Sequence, residues 1–162
     1  MSNSETASAG TTLGVTRIVS GGQTGVDRGA LEAAIALGIA HGGWCPRGRL
    51  AEDGTVPSRY ELVECDAPGY HVRTERNVVD SDGTLILYRH AMSGGTALTF
   101  QYAKRHGKPF FLHNLAASDD AAAARDWLVA HRIRTLNVGG PRESNAPGAM
   151  DDAMNFVLRL LS

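Results

Sequence analysis

Lysine and cysteine are scarce in this 162-residue chain, and long apolar runs are missing. Cys45 and Cys65 are the two cysteines, too few and too far apart for a disulfide framework or a Cys-x-x-Cys pair, so a reducing cytoplasm is the expected setting. No stretch approaches the roughly 18 consecutive apolar residues of a membrane helix. Neither sign of charge dominates. Sixteen Lys and Arg against 17 Asp and Glu leave −1 at pH 7, which removes the basic footprint of general nucleic-acid or anionic-membrane binding. Any anion must therefore be held locally. Only Lys104 and Lys108 are lysine; the other 14 basic residues are arginine, whose planar fork suits phosphate-like oxyanions. The six histidines have no His-x-x-x-His spacing, so no protein-ligated metal is expected.

What is present fits a globular chain: 43% hydrophobic and 20% charged residues are neither a disordered nor a collagen-like composition. The length suits one core, and the expected organisation is a flexible tail over 1–15, without the apolar stretch of a secretory signal, followed by one domain over 16–162. Thr16 to Ser20 is β-prone and stops at Gly21-Gly22; a helix is expected over about 27–37, closed by Gly38. A strand over 39–45, a polar loop over 47–59 and a weak strand over 62–65 follow. A helix over 71–80 leads into Thr84-Leu85-Ile86-Leu87-Tyr88, apolar without alternation, as in a strand covered on both faces. Further expectations are a helix over 97–106, a strand over 109–113, a helix over 118–131 with Ser118 as N-cap, a strand over 135–138, and a last helix striped by Met150, Met154, Val157, Leu158 and Leu161. Strands alternating with helices predict an α/β fold: a single Rossmann-like, doubly wound, mostly parallel sheet of about five to six strands with helices on both faces.

Such sheets bind ligands at the carboxyl ends of their strands, where strand order reverses. Two loops fall there. Ser20-Gly21-Gly22-Gln23-Thr24-Gly25 enters a helix N-terminus, where unpaired N–H groups and the helix dipole favour an anion, and Arg28 lies one turn further on. Ser93-Gly94-Gly95-Thr96 repeats the design after the central strand. Either loop alone is also what a plain tight connection looks like; side by side, two helix N-termini would converge on one crevice. The candidate ligand-binding residues are Gly21, Gly22, Gln23, Thr24, Gly25, Arg28, Arg76, Asn77, Ser93, Gly94, Gly95 and Thr96. Arg47, Arg89 and Arg142 are expected at the same edge, and the loop from Gly140 to Ser144 is expected to form a lid or a subunit contact. No acid or nucleophile has a partner at a spacing that marks a catalytic pair.

Ser20 to Leu31, His41 to Arg49, Ala51 to Gly54, Arg73 to Val78, Ser93 to Thr99, Gly107-Lys108-Pro109 and Asn137 to Ser144, taken in order, resemble the molybdenum carrier family, small Rossmann-like proteins related to molybdenum cofactor carriers. The resemblance implies a homo-oligomer, dimer or tetramer, that carries molybdenum cofactor (molybdopterin) or a related guest such as phosphate, molybdate or a nucleotide, with molybdoenzymes as recipients. It also implies that both glycine loops surround the anionic group. The wider SLOG-type superfamily includes lonely-guy-type phosphoribohydrolases with a Gly-Gly-x-Gly-Thr-x-x-Glu motif. Here Gly95-Thr96-Ala97-Leu98 leads to Thr99 where that glutamate belongs, which weakens the enzyme reading.

Overall fold

The computed structural model describes residues 12–162. Five parallel strands form the central sheet: β1 (Arg17–Val19), β2 (Ala40–Gly42), β7 (Gly83–Tyr88), β8 (Phe110–Asn114) and β9 (Thr135–Gly139), in the order β2-β1-β9-β7-β8. Four further strands form two small ribbons, β3 (Trp44–Cys45) parallel to β6 (Val63–Glu64), and β4 (Leu50–Ala51) antiparallel to β5 (Gly54–Thr55). The helices are α1 (Val26–Leu37), α2 (Tyr70–Val79), α3 (Gly94–Arg105), α4 (Ala122–Ala130) and α5 (Ala149–Leu161). This is the α/β Rossmann-like architecture that the strand–helix alternation predicts.

Strand order decides where the helices go. The step from β1 to β2 runs one way along the sheet and the step from β7 to β8 runs the other, so right-handed crossovers put α1 and α3 on opposite faces. The contacts agree: α1 packs on α5 and α5 on α4, while α2 packs on α3. The larger core lies on the first of these faces, where Ile18, Leu85, Leu87, Leu136 and Val138 meet Val26, Leu128, Phe156, Val157 and Leu160. Each such side chain, fully buried, contributes about 1.5–3 kcal/mol relative to exposure. A smaller cluster of Val78, Tyr102 and Ala103 fills the other face, and Leu31 anchors a side lobe built from Cys45, Ala51, Val56, Tyr60 and Leu62.

Several expected boundaries shift, each for a local reason. The strand over 39–45 is broken at Gly43, whose φ of +121° turns the chain and whose missing side chain lets Ser20 O approach to 2.4 Å of where a Cβ would stand. Beyond it the chain leaves the main sheet for the lobe. The helix expected from Ser118 starts instead at Ala122, because Ser118 Oγ accepts from Asp120 N–H and Asp120 Oδ1 from Ala122 N–H, a relay of side-chain turns. The tail assigned to 1–15 lies outside the described residues up to residue 11; Thr12 to Gly14 form a turn and Val15 is buried in the main core, so the packed chain begins earlier than composition suggests.

α1 and α5 cross closely at Gly29, where an added Cβ would stand 2.3 Å from Met150 O and 3.0 Å from Ala153 Cβ. Gly29→Ala gains up to about 1 kcal/mol of helix propensity, but overpacking against backbone costs roughly 1–3 kcal/mol. The expected result in urea unfolding is a net loss of stability; equal or greater stability would refute the close crossing.

Candidate functional site

A cavity of about 150 Å³ opens at the carboxyl edge of β1, β9 and β7, where the sheet order reverses. The two glycine loops both reach it, but in unequal roles. β9 lies between β1 and β7, so their loops are not neighbours and the crevice straddles the end of β9.

The second loop supplies the open donors. α3 begins at Gly94 rather than at Ala97, which puts Gly94, Gly95 and Thr96 in its first turn. Thr96 and Ala97 N–H donate to Ser93 O, whereas those of Gly94 and Gly95 precede the first intrahelical bonds, and Ser93 makes no capping hydrogen bond. Nothing lies within 4 Å of a Cβ built on either glycine. Both glycines are exposed and line the cavity at the positive end of the helix dipole. Thr96 is buried beneath them.

The first loop is occupied by its own helix. Asp27 Oδ2, in the first turn of α1, accepts from Gln23 N–H at 3.2 Å and from Arg73 Nη1 at 3.5 Å, and Val26 N–H donates to Pro141 O. Burial pushes the Asp27 carboxyl above its ordinary range, against the opposing pull of Arg73, the Gln23 amide, Arg28 and the Gly21 amide. Gly22 and Gly25 face inward: a Cβ on Gly22 would strike Leu62 Cδ1 at 2.6 Å, and one on Gly25 would strike Pro141 O at 2.4 Å. Neither lines the cavity. Of the first loop, Gly21 and Gln23 do. Thr24 faces away, donating its hydroxyl to Glu52 and accepting from Glu143 N–H.

The expected arginines also sort differently. Arg28 is buried, with Nε on Gly22 O at 3.0 Å and a two-pronged pair to Asp53 at 2.6 and 2.8 Å; it ties the 47–59 loop to the first glycine loop and lies outside the cavity. Arg76 stacks over Trp44, 4.8 Å from the ring centre, and faces Asp66. Asn77 does line the cavity but bonds both the N–H and the C=O of Trp44, pinning the lobe to α2. Arg47 is exposed and does not contribute. Arg89 and Arg142 contribute: Arg89 bonds Pro147 O and Asp152, and Arg142 lies over the Tyr70 ring at the mouth. Two cavity residues missed are Asp27 and Arg73, the latter with its guanidinium packed against Gly21 and near the Tyr70 ring. The signal for Arg73 is the buried set Thr74, Asn77 and Val78 on the same helix, a face too polar to register as hydrophobic periodicity.

A family model described as the circularly permutated YpsA SLOG family matches residues 18–161. The chain belongs to that family. It is also similar, at 44% identity and a TM-score of 0.89, to a crystal structure from Syntrophus aciditrophicus SB named "putative molybdenum carrier protein", with 92% of this chain and 96% of that chain covered. Among curated proteins no sequence matches.

In this SLOG-family chain the loop from Gly140 to Ser144 is a wall of the cavity, latched from outside. Ser144 donates both its hydroxyl, at 2.5 Å, and its N–H, at 3.2 Å, to Glu52, which also takes the Thr24 hydroxyl. These hydrogen bonds, Ser144 foremost, hold the Glu52 carboxyl below its ordinary range. Glu143 accepts from Gly148 and Met150 N–H and so seats the start of α5. Thr99, where the superfamily hydrolases carry glutamate, lines the cavity and donates to Gly95 O at 2.9 Å. Cys45 is wholly buried in the lobe, with its thiol pushed up by burial. Among the described residues no three His, Cys, Asp or Glu side chains come together as a metal set.

Two consequences are measurable. Arg28→Met leaves the buried Gly22 carbonyl without its side-chain donor, and a loss of roughly 1–3 kcal/mol in urea unfolding is expected; an unchanged midpoint would remove the clamp. Because the folded Glu52 carboxyl sits below 4.5, its stabilisation is complete above that value and lost as pH falls through the folded pKa. Glu52→Gln is therefore expected to flatten the acid limb of the stability–pH curve below about pH 4.5, and parallel limbs in variant and wild type would refute the latch.

Proposed function

We propose that this protein is a binding and carrier protein for a small oxyanion-bearing ligand, seated on the first turn of α3 with Arg73, Arg89 and Arg142 around it. The observation that carries this reading is the pair of uncapped amides at Gly94 and Gly95, opening onto a cavity that three arginines line. Ligand pockets for whole small molecules run to about 300–1,000 Å³, so a cavity of about 150 Å³ takes an anionic headgroup and leaves the remainder in the mouth beside Tyr70 and Arg142. Molybdenum cofactor, with its terminal phosphate and oxo-molybdenum end, satisfies that demand, and the name of the Syntrophus relative, a molybdenum carrier, supports a molybdenum-bearing cargo. Phosphate, molybdate or a nucleotide present the same headgroup chemistry. Self-association into dimers or tetramers and hand-over to molybdoenzymes belong to the same reading.

A second reading, turnover of a nucleotide derivative, has one observation in its favour: the buried Asp27 carboxyl, held above its ordinary range, stands at the cavity wall. Incubation with nucleoside monophosphates separates the two, since an enzyme releases free base and a carrier returns its ligand unchanged.

Ligand at a hundredfold excess over Kd is expected to stabilise the fold by roughly 2.7 kcal/mol, read by melting with isolated molybdenum cofactor, molybdate, phosphate and AMP in parallel. Gly95→Val projects into open space, so the fold is expected to hold while anion binding weakens by about 1.5–3 kcal/mol. Wild-type affinity in that variant would refute the α3 site.

A further inference from the structure

The outermost strands of the main sheet are β2 and β8, and β8 pairs with β7 alone. Thr84 N–H donates to Pro109 O at the start of that pair and Leu115 N–H to Tyr88 O at its end, so the odd-numbered residues of β8 turn their main-chain groups inward. Those of Phe110, Leu112 and Asn114 turn outward. Asn114 O accepts from Ala117 N–H, but among the described residues no hydrogen bond reaches the N–H or C=O of Phe110 and Leu112, or the Asn114 N–H. Folded proteins guard such an edge with charge, proline, a bulge or a covering segment. β2 is three residues long and runs on into the lobe, where Gly43 O accepts from Val63 N–H. β8 has no such guard: it reads Phe-Phe-Leu-His-Asn, keeps unbroken register with β7, and every residue in it is half-buried.

The same strand from a second copy fits this edge. An antiparallel partner about a two-fold axis at Leu112 overlaps the whole of Phe110–Asn114: Leu112 N–H and C=O meet their counterparts, and Asn114 N–H meets the partner's Phe110 O. Sliding the axis toward the start of the strand brings in Pro109, which has no N–H, and Lys108, whose N–H is already given to Ala103 O. Charge agrees with the antiparallel sense. Residues 104–110 carry Lys104, Arg105 and Lys108 and no acid, whereas 114–120 carry Asp119 and Asp120 and no base, so each run lies beside its opposite. Among the described residues Lys104 and Arg105 have no carboxylate partner of their own. An apolar groove of about 580 Å³, lined in part by Pro109, Phe110 and Trp127, opens beside the start of β8, where the partner's strand would end.

We propose that two copies of this chain pair β8 against β8 in antiparallel sense about a two-fold axis at Leu112, joining their five-stranded sheets into one. The inference rests on the self-association included in the reading above and assigns it an interface.

Sedimentation of the full chain over a concentration series is expected to show dimers, or tetramers built from them, that dissociate on dilution. Leu112→Lys and Leu112→Glu each set like charges across the axis and are expected to weaken that association about tenfold. An equimolar mixture of the two sets opposite charges there and is expected to restore it; melting curves report the fold of each variant. The wild-type chain gives a reading that needs no substitution. Its Leu112 amide is expected to exchange with deuterium about tenfold slower at associating concentrations than on dilution, while the Phe111 amide, bonded to β7, stays unchanged. A wild type that is monomeric at every concentration overturns the interface and the self-association together. Association at wild-type strength in both variants, a mixture of folded variants that associates no better than its components, or a Leu112 amide indifferent to concentration while the chain associates overturns the β8 interface alone.

Discussion

Asp27 sits where an anionic ligand would dock at a helix N-terminus, and much of the site's shape follows from that substitution of protein for ligand. Its carboxylate takes the Gln23 N–H of the first glycine loop and one nitrogen of Arg73, so the loop closes on the protein itself. A buried carboxyl stripped of water is unfavourable unless its hydrogen bonds are made, and here they are made by Gln23 and Arg73. The same contacts fix Gln23 and Arg73 as rigid features of the wall. Preorganisation is the gain: donors held by a folded network lose little freedom when a guest arrives.

The sheet order transmits this arrangement to the second loop. Inserting β9 between β1 and β7 separates the two helix N-termini, which the opposed β1–β2 and β7–β8 steps put on opposite faces, and makes the β9 exit loop a wall of the crevice. That wall is then tied down from outside by Glu52, which gathers Thr24, Ser144 and, more distantly, Arg142 at 4.0 Å. Three segments distant in sequence thus meet on one partly exposed carboxylate. Exposed ion pairs contribute little singly; here the hydrogen bonds to hydroxyl and amide groups carry the contact, which is why Ser144 and Thr24 outrank Arg142 in lowering the Glu52 pKa.

The α/β class, the succession of the main strands along the chain and both glycine loops were legible in the sequence, because apolar runs of strand length and glycines at their ends are local signals, whereas the place of β9 between β1 and β7 was not. Which loop offers free donors was not. Gly22 and Gly25 look as fit for anion contact as Gly94 and Gly95 until their neighbours are known, and those neighbours, Leu62 and Pro141, lie 40 and 116 positions away in the chain. Arg28 misled for the same reason: its partner Asp53 comes from a loop whose path no periodicity reports. Arg73 was hidden because the buried residues of α2 are Thr74, Asn77 and Val78 rather than Val72 and Val79, so a single apolar residue marks the buried face. In the lobe over 43–65 the weak strand expected over 62–65 is present at Val63–Glu64, but its pairing was not legible, since these strands are two residues long and one positive-φ glycine diverts them from the main sheet.

Thr99 bears on whether the cavity favours binding or turnover. Its hydroxyl donates to Gly95 O, one turn before it on the helix, and so supports the turn that presents the free amides. A glutamate in its place, as in the superfamily's phosphoribohydrolases, would set a carboxylate among the donors on which the oxyanion is to rest. For a hydrolase that charge is a catalytic group; for a container it is repulsion without return. With Asp27 facing Arg73 and Glu52 turned outward onto Ser144, the acids around the crevice are directed at internal partners. On the proposed reading, a nearly neutral chain would then receive an anion through the placement of three carboxylates, Asp27, Glu52 and Asp53, against protein groups rather than through any excess of positive residues.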